Sequence, residues 1–319
     1  MPDSYSKGPS SGTLPAASGS APLATPAPSV PIVPIVAVPV SGPSGWFQLW
    51  RRFTRNPGAL IGLTILVVLA LIAIFGPFLV SDPTKQDIVA RMTVPNATYR
   101  MGTDEFGRDI LSRVVNGARI SLLSGIGAVA FGLVFGVLFG TYAGYFGGAP
   151  GTGIMAVMDM LLALPAVLLA VSIAAVLGPS LVTASIAIGV VNVPYFARLI
   201  RSAILGVKNQ EYLEAARAVG ARDLRIIRLH LLPNVLTVLV VQATIGIGNA
   251  ILLVSSLGFL GLGAQPPVPE WGVMLNEAHR FIVDAPYTGI FPGLGIMLTV
   301  LSFNLAGDGL RDALDPGLR

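Results

Sequence analysis

Residues Ala59–Val80 contain no charged side chain over 22 positions. As a helix rising 1.5 Å per residue, that run is roughly 33 Å long, enough to cross the hydrocarbon core of a bilayer. Comparable runs follow at Ile120–Tyr145, Ile154–Leu177, Leu181–Phe196, Val235–Leu257 and Gly289–Ala306. A soluble amphipathic helix would show a polar face within such windows, and none does. Six transmembrane helices are therefore expected, with the short fourth run and the glycine-rich sixth least sharply bounded. Charged residues are only 11% of the chain, against roughly 25% in soluble domains, too few to cover a water-facing surface.

Several function classes are excluded at once. With no cysteine, neither disulfides nor thiolate chemistry is available. Two histidines cannot form a cluster, and no other set of residues shows metal-ligand spacing. Lys7, Lys85 and Lys208 are the only lysines and none follows a glycine, so the G-x-x-x-x-G-K-[ST] phosphate loop is absent. Basic residues are not interleaved with aromatics as a nucleic-acid surface would require. An intramembrane hydrolase needs a nucleophile and base at depth, yet His230 and His279 both fall in loops. A self-sufficient secondary transporter would carry an inverted repeat, and the two halves show none.

The chain divides by composition. Residues 1–45 hold ten prolines among Ser, Ala and Gly, and are expected to form a disordered cytoplasmic tail. Residues 46–80 supply a lead-in segment and the first span, 81–119 an outer loop, 120–306 the core with a cytoplasmic loop at 198–234, and 307–319 a cytoplasmic tail. Orientation follows from the basic residues: with both termini inside, 13 of the 20 Lys and Arg lie on the cytoplasmic side.

Two features stand out from this frame. Gly132, Gly136, Gly140, Gly144 and Gly148 recur at every fourth residue, a small-residue stripe that lets another helix approach closely, within this chain or in a dimer. The segment Asn209–Gly220 reads as a short helix starting near Asn209 or Gln210. Tyr212, Ala215, Ala216 and Val219 form one apolar face, with Glu211 and Glu214 early in the helix where its dipole favours them. Gly220 suits a left-handed stop, and Asp223 is placed to cap a second helix running to Leu231 and ended by Pro233. Such a knob fits a groove in another protein or lies on the bilayer; spacing alone leaves both open.

Glu214-Ala215-Ala216, then Gly220, then His230-Leu-Leu-Pro-Asn234 resembles the EAA loop of ATP-binding-cassette importer permeases, and His230 resembles the peptide-importer branch. Met101-Gly-Thr-Asp-Glu-Phe-Gly-Arg-Asp109, Ser256–Gly263 with Pro266-Pro267 and Trp271-Gly272, and Gly307–Pro316 are similar to dipeptide and oligopeptide permeases. The resemblance runs from about Trp46 to Arg319. It implies an all-α membrane protein of the type I ABC-importer permease (MetI-like) architecture in the bacterial plasma membrane. The implied partners are a homologous second permease, two ATPase subunits and an extracytoplasmic substrate-binding protein. ATP and magnesium would sit on the ATPases, with no cofactor on this chain and no catalytic residue in it. The implied coupling residues are Glu211, Glu214, Ala215, Ala216, Gly220 and Pro233.

Asn192, Gln242, Asn249 and Asn304 are polar groups in or at the ends of spanning runs, where an unpaired amide is costly. They either bond between helices or line a translocation path. Pro165 and Pro194 fall within spans, as gating kinks or as plain packed ones. The segment around Glu270, Trp271, Asn276 and Glu277 is a candidate docking surface for the binding protein. Imported solutes consistent with the resemblance are dipeptides or oligopeptides, or nickel.

Overall fold

The computed structural model describes residues 43–314; the expected tail, apart from its last three residues, lies outside the described residues, as do 315–319. The helices are α1 Pro43–Phe53, α2 Pro57–Phe75, α3 Ile110–Tyr145, α4 Gly148–Leu162, α5 Ala166–Leu177, α6 Leu181–Val207, α7 Glu211–Ala218, α8 Asp223–Ile226, α9 Leu232–Phe259, α10 Trp271–Ala278 and α11 Tyr287–Leu314. Among the described residues there is no strand. Five helical runs are each long and apolar enough to cross a membrane: α2, α3, α6, α8–α9 together, and α11.

Several helices outrun the apolar segments that announce them. α3 starts ten residues before Ile120 because Asp109 caps it, accepting hydrogen bonds from the Ser112 amide (3.1 Å) and hydroxyl. Part of the expected outer loop is thus helix. α6 carries buried Pro194 within it and continues past Phe196 to Val207. The second half of the 198–234 loop also differs from expectation. Pro233 does not end a helix; it lies in the first turn of α9, where its missing N–H costs little. Ile227–Leu231 widens into a π-turn that joins α8 to α9 in one helical run of 37 residues, Asp223–Phe259.

The third expected span is broken. α4 and α5 meet at 95° around Ala163–Pro165, where Pro165 disfavours helical backbone in the residue before it. Packing shows what the pair must do. Cβ atoms placed on Gly132, Gly136, Gly140 and Gly144 would strike Asn192, Phe196, Ala197 and Ile204 at 2.7, 2.4, 2.5 and 3.1 Å. The stripe therefore seats α3 on α6 within this chain, while Gly148 takes φ +65° at the α4 start. Residue numbers rise together along both helices, so α3 and α6 run parallel. The intervening α4–α5 must carry the chain back across, which makes the bent pair one traverse and the total six.

α9 runs antiparallel to α3, with Gly125 against Ile251. α2 runs antiparallel to α11, with Gly62 against Leu305 and Gly309 against Ala59, and the Asn56 amide donates to Asp312 at 3.0 Å. The described chain consequently begins and ends at one end of the bundle, the end that also carries α7 (the knob end). One apolar core joins α3, α5, α6 and α9 to Leu213, Ile226 and Leu231 of the knob. A second surrounds Trp271 between α2, α3, α10 and α11.

Candidate functional site

At the knob end, α7 is an eight-residue helix with Glu211 and Glu214 in its first turn. It stops in a Schellman turn: the Ala221 amide donates to the Ala216 carbonyl (3.0 Å) and the Gly220 amide to the Arg217 carbonyl (2.9 Å). Gly220 holds φ +83°, which a side chain would strain. Only Leu213 is buried, at 0% exposure, and anchors α7 in the larger core. Of the face formed by Tyr212, Ala215, Ala216 and Val219, only Ala216 is half-buried; Tyr212 and Val219 are 40% and 85% exposed. Apart from half-buried Ala216 and the Tyr212 hydroxyl, that face is turned away from this chain. Burial raises the Tyr212 phenol above the ordinary tyrosine value, and Asn234 donates to its oxygen at 3.0 Å.

The knob is tied to the rest of the bundle through Tyr145, the last residue of α3. Its hydroxyl donates to Asp223 Oδ1 at 2.5 Å, and its carbonyl accepts from Lys208 Nζ at 2.6 Å. The Arg217 guanidinium lies 5.7 Å from its ring centroid. None of these contacts is visible in the sequence, because Tyr145 reads there as the end of an apolar run. Leu213 was equally hidden, being off the apolar face. Arg198 pairs with Asp159 at 2.6 Å on the exposed surface.

At the opposite end the Met101–Asp109 motif folds back on itself. Asp104 Oδ1 accepts from the Phe106 and Arg108 amides, and its Oδ2 from Arg108 Nε (2.6 Å) and Arg113 (3.1 Å). Both guanidiniums then reach Glu277 Oε2, at 2.9 and 2.7 Å. Gly107 has φ +73°, and a Cβ there would sit 1.7 Å from the Asp87 carbonyl oxygen. The result is a formally neutral, buried lock of two arginines and two carboxylates joining α3 to α10.

Glu270 and Trp271, expected on a docking surface, are each 1% exposed and cannot touch another protein here. The Glu270 carboxylate accepts from Ser121 (3.1 Å), Ser255 (3.0 Å) and the Val273 amide (3.0 Å). The Trp271 indole donates to the Val114 carbonyl at 3.0 Å, in a socket left open by Gly117 and Gly295. Glu277 is committed to the lock. Of the four, Asn276 alone stays at the surface, half-buried beside exposed Arg280, Ile282 and Val283, with its amide donating to the Phe259 carbonyl at 2.5 Å.

The spanning amides behave differently from one another. Asn192 faces Gly132 and donates to Ile188 of its own helix at 2.9 Å. Gln242 and Asn249 lie seven residues apart on one side of α9, half-buried and exposed, and Asn304 of α11 is half-buried. Among the described residues these three make no side-chain hydrogen bond between helices. No group of three or more His, Asp or Glu able to hold a metal ion occurs among the described residues.

Residues 132–319, more than half the chain, match the family described as the binding-protein-dependent transport system inner membrane component. The chain belongs to this family. Residues 44–97 of the permease also match the N-terminal transmembrane domain of oligopeptide transport permease C. It is 48% identical over 299 residues to the dipeptide transport system permease protein DppC of Alkalihalophilus pseudofirmus, covering 93% of this chain and 97% of that one. It is 46% identical over 276 residues to the glutathione transport system permease protein GsiD of Shigella flexneri, covering 86% and 91%. Its fold is similar to a chain of the inward-facing MetNI methionine ABC transporter, with TM-score 0.51, 24% identity, and 63% and 96% of the two chains covered. The permease is a multi-pass inner-membrane component of an ABC importer and not an enzyme, and such an importer includes ATPase and substrate-binding partners.

Proposed function

We propose that this permease imports dipeptides or short oligopeptides, pairing with a homologous second permease and driven by two ATPase subunits through the α7 knob. The observation that carries the cargo is the near full-length match to a dipeptide permease, alongside one named for glutathione, itself a short peptide. Uptake of labelled di- and oligopeptides, and of nickel, by cells lacking this chain is the test. Loss of peptide uptake with nickel uptake intact is expected; the reverse pattern would remove the peptide reading.

In this reading the arginine-rich knob end is cytoplasmic. The free Tyr212–Ala215–Ala216–Val219 face seats in the ATPase, with Glu214 meeting a basic residue there. A ligand-driven change needs an energy difference between two states at both sites, and closure of the ATPase pair on the knob supplies it. Gln242, Asn249 and Asn304, without side-chain hydrogen-bond partners among the described residues, line the path together with the second permease, since an amide facing lipid would be costly. The binding protein docks on the rim around Asn276. Ala216→Asp is the sharper test of coupling: transport and ATPase stimulation should be lost while membrane insertion persists. Gly220→Pro should do the same, and there the turn itself is lost, because proline cannot take a positive φ.

A further inference from the structure

We infer that Tyr145 is the positioning residue that makes the knob and the α3–α6 pair move as one body, an inference that rests on the coupling role of α7 just proposed. The reason lies in how weakly α7 is otherwise held. It is eight residues long, is held otherwise, among the described residues, only by buried Leu213 and one hydrogen bond from Asn234 to the half-exposed Tyr212 hydroxyl, and hangs between two non-helical links, residues 208–210 and 219–222. A push on such an element would be absorbed by rotation in those links instead of reaching the bundle. Tyr145 acts on both links and on the helix between them. Its carbonyl holds Lys208 in the first link at 2.6 Å. Its hydroxyl holds Asp223, the residue directly after the second, at 2.5 Å. Arg217, in the last turn of α7, lies 5.7 Å from its ring centroid, within range of a cation–π attraction.

Tyr145 is itself 6% exposed and ends the helix whose glycine stripe is seated on α6. Force entering at the exposed face of α7 therefore has a short, packed route: knob to Tyr145, Tyr145 to α3, α3 to α6 over four glycines. Without the Tyr145 hydroxyl, the α8 end of the second link is released while the ring, its packing and the backbone carbonyl stay in place.

The readout is solute transported per ATP hydrolysed by the full complex reconstituted in vesicles, with a labelled dipeptide as cargo. Tyr145→Phe should lower this ratio by about tenfold, the scale set by one hydrogen bond to a charged acceptor, while the amount of assembled complex and its ATP hydrolysis are retained. A merely structural residue would reduce the yield of complex and leave the ratio alone. Asp223→Asn keeps an acceptor for the phenol and should keep the ratio; Asp223→Leu should lower it as Tyr145→Phe does, and the double variant should be no worse than either. An unchanged ratio in Tyr145→Phe, or independent losses that multiply in the double variant, overturns the inference. Ala216→Asp run in parallel separates the two ideas. If it transports normally, the coupling role of α7 fails; if it is inactive while Tyr145→Phe keeps its ratio, only the role of Tyr145 fails.

Discussion

Glu277 meets two guanidiniums through a single carboxylate oxygen, and both arginines are nearly inaccessible, Arg108 at 2% and Arg113 at 1%. Removing one member of such a group is worse than never having built it, because the remaining charges stay buried without compensation. Glu277→Ala is expected to destabilise the permease by about 3–5 kcal/mol, read as a lower thermal unfolding midpoint in detergent. Glu277→Gln keeps an acceptor and should cost less. Equal midpoints for Glu277→Ala and the native protein would mean the lock contributes nothing. This part of the molecule was half legible: the Met101–Asp109 motif is plain in the sequence, but its partner Glu277 lies 164 residues from Arg113. No local pattern links the two, which is why Glu277 reads as a surface residue until the fold is known.

The element that organises the bundle is the parallel pair α3 and α6. Four glycines let the backbones approach so closely that any larger side chain must push them apart. Gly136→Leu, with a Cβ 2.4 Å from that of Phe196, should cost about 1–3 kcal/mol, as overpacking does, and should raise protease sensitivity. Gly127 is on the same helix with nothing within 4 Å of an added Cβ, so Gly127→Ala should leave both measurements unchanged. If the two variants behave alike, close α3–α6 packing is not what holds the pair. The fourfold spacing was visible beforehand, but it could not say whether the partner helix was α6 or a second copy. That choice depends on the return path through α4 and α5.

At the scale of the whole molecule, parallel α3 and α6 force an even number of crossings. The absence of native cysteine makes this testable with single introduced cysteines at exposed positions. Val219 on the knob is 85% exposed, while Val89, Val176 and Val283 near the opposite end are 98%, 86% and 88% exposed. With the ATPase subunits stripped from the knob, an impermeant thiol reagent should reach Val219→Cys from the cytoplasmic side and the other three from outside. Labelling of Val176→Cys and Val219→Cys from the same side would show that the bent α4–α5 pair does not cross, leaving five traverses and the two described ends on opposite sides.

The sequence by itself determined the solvent: transfer of an uncharged run into hydrocarbon is a sum over neighbouring residues, so Ala59–Val80 and its counterparts can be read without knowing any contact. It also determined the knob, because helix periodicity, first-turn acids and a positive-φ glycine at Gly220 are all local. Tertiary structure decided the rest. The burial of Glu270 and Trp271, the anchoring of Leu213, and the meeting of Tyr145 with Asp223 across 78 residues depend on which helix faces which. That in turn is settled by close packing along whole helices, a property no window of the chain contains.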